Sequence, residues 1–119
     1  LKITACYRSP VQNNEILERF IDDLQGLIEI ENKTDCVLMG DLNINIIAKQ
    51  LGLKTEKYLD MLSSCGYECI NHLATREKAC LDHCFYRGSN QHSVQIIKTA
   101  ITDHFPVLCQ IATGKSVIN

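Results

Sequence analysis

Asp35 to Asn45 reads "DCVLMGDLNIN", an almost wholly apolar run that ends in a glycine, an acid and two amides. Cys36, Val37, Leu38 and Met39 in succession leave no polar side for water, which is the pattern of a strand covered on both faces. A strand of that kind belongs to a layered α/β fold. If its neighbours run parallel to it, the loop "GDLNIN" leaves its carboxyl end, where α/β proteins usually bind their ligands. Asp41 then stands at a position suited to chemistry. Gly-Asp-Leu-Asn is also an ordinary turn, and taken alone it reads as one more often than as a site.

The flanks agree with the layered reading. "LKITACY" (1–7) alternates apolar and polar residues and predicts a strand that ends before Pro10, which cannot donate to a ladder. "NNEILERFIDDLQGLIEIENK" (13–33) predicts an amphipathic helix. Asn13 or Asn14 can cap it, and Ile16, Leu17, Phe20, Ile21, Leu24, Leu27 and Ile28 share one face. A second helix is expected from Thr55 as N-cap, with Tyr58, Leu59, Met61, Leu62 and Cys65 inward and Gly66 as its stop. "YECI", "CLDHCFY", "VQIIKTA" and "PVLCQIA" follow as short strands. Strand, helix, strand, helix and then several strands make an α/β arrangement of packed layers.

With 119 residues, 45% of them hydrophobic and 22% charged, the chain suits one globular domain. A formal charge of -2 supplies no broad basic field, so a polyanion would have to be held by local contacts or through a metal ion. Seven cysteines, an odd number, argue against a closed disulfide framework, and Cys36 and Cys109 lie in apolar runs where a thiol behaves as a small hydrophobe. An intracellular, reducing compartment is the expectation. No secretory signal opens the chain and no run approaches a membrane span. The first residue, Leu1, falls in what reads as the middle of a strand, so the chain is expected to be a piece of something longer. Residues 1–112 are read as one partial domain and 113–119 as a tail.

Three pieces repeat a format, a polar cluster at the end or centre of an apolar strand: "GDLN" (40–43), "LDHCF" (81–85) and "TDHFPV" (102–107). Hydrolysis of a phosphate ester needs a base for water, a cation at the phosphate and a donor to the charge that develops. Asp41, Asn43, Asp82, Asp103 and His104 supply those types, given a metal. A competing reading is a zinc module built from Cys65, Cys69, His72, Cys80, His83 and Cys84. Its spacing is poor, since no paired CxxC knuckle is present and a strand sends alternate residues to opposite faces.

The ordered set "CYRSP", "VLMGDLNIN", "ATREKACLDHCF" and "ITDHFPV" resembles the endonuclease/exonuclease/phosphatase family over nearly the whole chain. "YRSP", the amides of "GDLNIN" and "SSCGYECINHLATR" look most like its branch of endonuclease domains from non-LTR (LINE-type) retrotransposons. The resemblance implies the C-terminal half of a four-layer α/β sandwich, two packed β-sheets flanked by helices. It implies a DNA-nicking, Mg²⁺- or Mn²⁺-dependent phosphodiesterase. In that role Asp41 would orient or deprotonate water, Asn43 would hold the phosphate or the water, and Tyr7 would place its phenol on the phosphate. Asp82 would pair with His104, and Asp103 would lie on the metal side. Arg8, Asn45, Thr75, Arg76 and Thr102 would be substrate contacts or their supports. DNA, a reverse transcriptase domain in the parent polypeptide and nuclear localisation follow from the same likeness. The family's early Asn and metal-binding Glu have no counterpart here, and Glu15, Glu18 and Glu29 on the first helix should face solvent. The metal would therefore be held weakly, activity of the chain alone would be low, and an apolar sheet face would stay bare. A phosphatase or phosphoinositide phosphatase of the same family, or a non-catalytic remnant, remains open at this level.

Overall fold

The computed structural model describes residues 1–10, 13–30, 35–100 and 102–112. Strand β1 (Lys2–Tyr7) leads into helix α1 (Asn14–Ile30), then β2 (Cys36–Asp41), helix α2 (Leu53–Ser64), β3 (Glu68–Cys69), β4 (Asp82–Arg87), β5 (His92–Ile96) and β6 (Val107–Ile111). The tail 113–119 lies outside the described residues. A four-stranded sheet has the order β1-β2-β4-β3, and β5 and β6 form a second, two-stranded sheet. The α/β class expected from the sequence is what the chain adopts.

β1 and β2 run parallel with α1 as the crossover, and β4 joins β2 antiparallel. Paired residues share a face, so the register sorts the side chains without ambiguity. Ile3, Val37 and Tyr86 form one row, Ala5, Met39 and Cys84 the next, and Tyr7, Asp41 and Asp82 the last. The opposite face carries Cys36, Leu38 and Phe85, which pack with Ile21, Leu24 and Ile28 of α1 and Tyr58, Met61 and Leu62 of α2. On the first face Val37, Cys84 and Tyr86 are covered by Val94, Cys109 and Ile111 of the β5–β6 hairpin. β2 is thus buried from both sides at Cys36–Leu38, as its unbroken apolar run requires.

The helices differ from expectation at their ends and edges. Asn13 caps α1, its Oδ1 accepting the Glu15 and Ile16 amides at 2.8 and 3.2 Å. Ile16 and Leu27 are exposed, while Ile21, Leu24 and Ile28 enter the core and Leu17 and Phe20 pack against it. α2 starts at Leu53 with Gly52 as N-cap and no side-chain cap, so Thr55 sits inside the first turn. Glu18 faces α2 and is spent there, 2.9 Å from Lys54 and 3.0 Å from Lys57. Gly66 ends α2 at φ 86°, a conformation that suits glycine.

Candidate functional site

The last row of the sheet face, Tyr7, Asp41 and Asp82, lies where the β5–β6 hairpin leaves it open. The loop preceding β6 folds over this end and brings His104 to it. His104 Nδ1 is 2.7 Å from Asp82 Oδ2 and its Nε2 is 3.9 Å from Asp41 Oδ2. An open cleft of about 430 Å³ extends from these three side chains along Ala5, Met39, Phe105, Pro106 and Val107. One wall is charged and the other apolar. The hydrogen bond to Asp82 raises the His104 pKa, with the Asp82, Asp41 and Asp103 charges adding to it and burial opposing.

A pinned backbone supports the pair. Thr75, wholly buried, accepts the Leu81 and Asp82 amides on its Oγ1 at 3.1 Å each, and its carbonyl takes the Phe105 amide at 2.6 Å. One residue therefore fixes both the Asp82 backbone and the loop next to His104. Asn71, also buried, donates from Nδ2 to the Asp82 carbonyl at 2.8 Å. Sequence reading missed Asn71. An Asn between a strand and a polar loop gives no signal of burial until β4 closes over it.

The loop after β2 is held as tightly. Asn43 has φ 52°, its amide N–H points to Asp41 Oδ1 at 3.2 Å, and its Nδ2 donates to the Arg8 carbonyl at 2.6 Å. This is an Asx-type turn closed by the acid itself, so the turn and the site readings of "GDLN" describe the same geometry.

Several expected contacts lie elsewhere. Asp103 is outside the Asp41, Asp82 and His104 group; its carboxylate, with 72% of the side chain exposed, faces Arg76 at 3.6 Å. Thr75 has no surface to offer DNA, for the reason just given. Arg8 is buried under the loop, its guanidinium donating to the Ser9 and Leu42 carbonyls. Asn45 Oδ1 is taken by the Ile47 and Cys80 amides, which makes it a loop pin. Thr102 turns its hydroxyl to the His104 carbonyl and also accepts the His104 amide. Tyr7 is 69% exposed beside Asp41, and Arg76 is exposed on a tight turn bridged to Ala79, with Lys78 at its tip.

Among the described residues, Asp41, Asp82 and His104 are the group of three or more metal-ligating side chains whose donor atoms converge, all within 4.8 Å of one another. That group contains no cysteine. All seven cysteines are free, and Cys84 and His83 point to opposite faces of β4, as the alternation of a strand demands. The zinc-module reading finds no such cluster among the described residues.

This arrangement, two carboxylates and a carboxylate-held imidazole at the carboxyl end of a parallel strand pair between two packed sheets, defines an α/β fold with an acidic, histidine-bearing cleft. The chain shares that fold with a solved structure, the endonuclease domain of TRAS1, a telomere-specific non-LTR retrotransposon, at a TM-score of 0.75 and 14% identity. The likeness covers 92% of this chain and 54% of that one, so the chain spans about half the length of the domain it matches. No protein-family profile and no curated protein matches the chain. Among the described residues no helix is long and apolar enough to cross a membrane.

Proposed function

We propose that the chain is the part of a DNA-nicking endonuclease that carries its water-activating and acid-donating side chains, in a protein of the non-LTR retrotransposon type. The observation that carries this is the 2.7 Å pairing of His104 Nδ1 with Asp82, set beside Asp41 in one cleft. Asp41 orients or deprotonates the attacking water. Asp82 holds the Nδ1–H of His104 and favours the imidazolium, whose Nε2–H is then turned to the cleft as donor to a phosphate oxygen. The exposed Tyr7 phenol lies in the same row for a further phosphate contact, and the exposed Arg76, which faces Asp103, would add a charge-assisted contact to the strand backbone. The Asn43 side chain donates from Nδ2 to the Arg8 carbonyl, which leaves its Oδ1 as an acceptor for the attacking water.

The donor set suits a hard divalent cation. Asp41 and the Asp82 oxygen not held by His104 would give such an ion two carboxylate ligands. Two ligands hold such an ion weakly, in keeping with the absence of a matching Glu in this sequence. Mg²⁺ or Mn²⁺, when bound, supplies charge neutralisation at the phosphate. The product would be a nick with a 3′-hydroxyl, able to prime a reverse transcriptase domain of the same polypeptide in the nucleus.

Supercoiled-plasmid nicking tests this. The chain alone is expected to nick slowly and only with added metal. Joined to the remaining half of such a domain it should nick readily, and Asp41→Asn or His104→Gln should each lower that rate by roughly 10²-fold or more with the fold retained. Nicking at the parent rate in either variant would overturn the assignment.

A further inference from the structure

His83 takes no part in the chemistry above, yet as the second residue of β4 it is 1% exposed and both its ring nitrogens are engaged. Nε2 lies 2.7 Å from the Ile44 carbonyl. A carbonyl only accepts, so Nε2 carries the proton. Nδ1 lies 2.8 Å from the hydroxyl of Tyr58, which is itself fully buried. In the neutral ring Nδ1 is an acceptor, so Tyr58 donates, and one tautomer satisfies every group. Burial favours that neutral ring by pushing the His83 pKa down.

Ile44 follows Asn43, the residue whose left-handed backbone places its N–H on Asp41. A non-glycine residue in that conformation is strained, and the surroundings must hold it. The loop is tied on either side, by the Leu42 amide to the Leu81 carbonyl and by the Ile46 amide to the Cys80 carbonyl. His83 holds the carbonyl between them. It reaches that carbonyl from the helix-covered face of the sheet, while its chain neighbour Asp82 projects into the cleft on the other.

We infer that His83, set in its tautomer by Tyr58, is a positioning residue that locks the Asp41–Asn43 turn into its working geometry from beneath the sheet. Its catalytic meaning rests on the endonuclease reading; its geometry does not. Adjacent residues of β4 then serve the same site from opposite faces, Asp82 by holding His104 and His83 by holding the loop of Asp41.

Nuclear magnetic resonance of the ¹⁵N-labelled chain tests this at a single fixed pH. In the parent chain His83 should be the Nε2–H tautomer with a slowly exchanging ring proton. His83→Phe keeps the volume and removes the donor. It should shift the Asp41 and Asn43 amide signals and change the φ-dependent coupling of Asn43, while the signals of α1 stay in place. His83→Gln, whose side-chain amide can reach the Ile44 carbonyl, should restore them, which a merely space-filling role does not predict. Tyr58→Phe, which leaves the histidine in place, should loosen the ring proton and move Asn43 in the same direction. A parent ring protonated at Nδ1 alone overturns the inference even if a variant fails to fold, and so does an Asn43 coupling unchanged in His83→Phe. A turn that moves with His83 in a chain whose completed domain does not nick DNA would sink the endonuclease reading and leave this one standing. Nicking that depends on Asp41 with a turn indifferent to His83 would do the reverse.

Discussion

Thr75 and the Asp82–His104 pair show what single residues contribute. The Thr75 hydroxyl accepts two backbone amides, one of them that of Asp82, in a place without water contact. Thr75→Val conserves shape and orphans both donors, so it should cost about 1–3 kcal/mol in urea unfolding, with Thr75→Ser largely retaining stability. Nothing in "ATREKA" distinguishes such a hydroxyl from one that faces a ligand, which is why the sequence left Thr75 open between a substrate contact and a support, and its buried hydroxyl makes it a support. For His104 the sign is set by its partner. A folded pKa raised by Asp82 means that its stabilisation is complete below the unfolded value of about 6.5 and is lost as pH rises through the folded value. Asp82→Asn should bring the His104 titration midpoint, followed by its ring proton shifts, back down toward about 6.5. A midpoint that does not fall would mean that the 2.7 Å contact contributes no charge-assisted bond in solution.

At the scale of the element, the end of the β1–β2 pair is governed by a glycine. Gly40 sits at φ 152°, and a Cβ there would lie 1.6 Å from the Cys6 carbonyl oxygen. Gly40→Ala must therefore push β1 away from β2 where Tyr7 and Asp41 align, at a cost of roughly 3 kcal/mol, the upper range for overpacking. Gly26, in α1 with nothing within 4 Å of its would-be Cβ, is the contrast. Gly26→Ala should raise stability by about 0.5–1 kcal/mol, since a helix-interior glycine costs that much relative to alanine. Thermal unfolding of the two variants side by side checks both signs. The elements themselves were readable because each rests on local periodicity. Their ends were less so, since α2 starts after Gly52, which has no capping side chain to mark the boundary.

Across the whole molecule the hairpin sheet covers only part of the larger one. Val94, Cys109 and Ile111 lie over Val37, Cys84 and Tyr86, while Ile3, Ala5 and Tyr7 on the edge strand β1 stay exposed on the same face. An apolar strip beside an open strand edge favours association. Sedimentation velocity should show concentration-dependent self-association of this chain, reduced in Ile3→Lys, and an apolar dye should bind the parent chain more than the variant. A monodisperse monomer that binds no dye would remove this expectation.

The sequence by itself determined the α/β order and the buried central strand, which follow from apolar periodicity, and it offered Asp41, Asn43, Asp82, Asp103 and His104 as candidates whose roles came from the family resemblance. Tertiary structure alone decided which of the remaining polar residues face the cleft. Thr75, Asn45 and Arg8 became internal supports and Asp103 turned outward to Arg76. Each of these outcomes depends on how β4 and the loop of His104 close over residues remote in the chain. A polar side chain pairs with whatever backbone donors that closure leaves unsatisfied, and no local pattern encodes which ones those are.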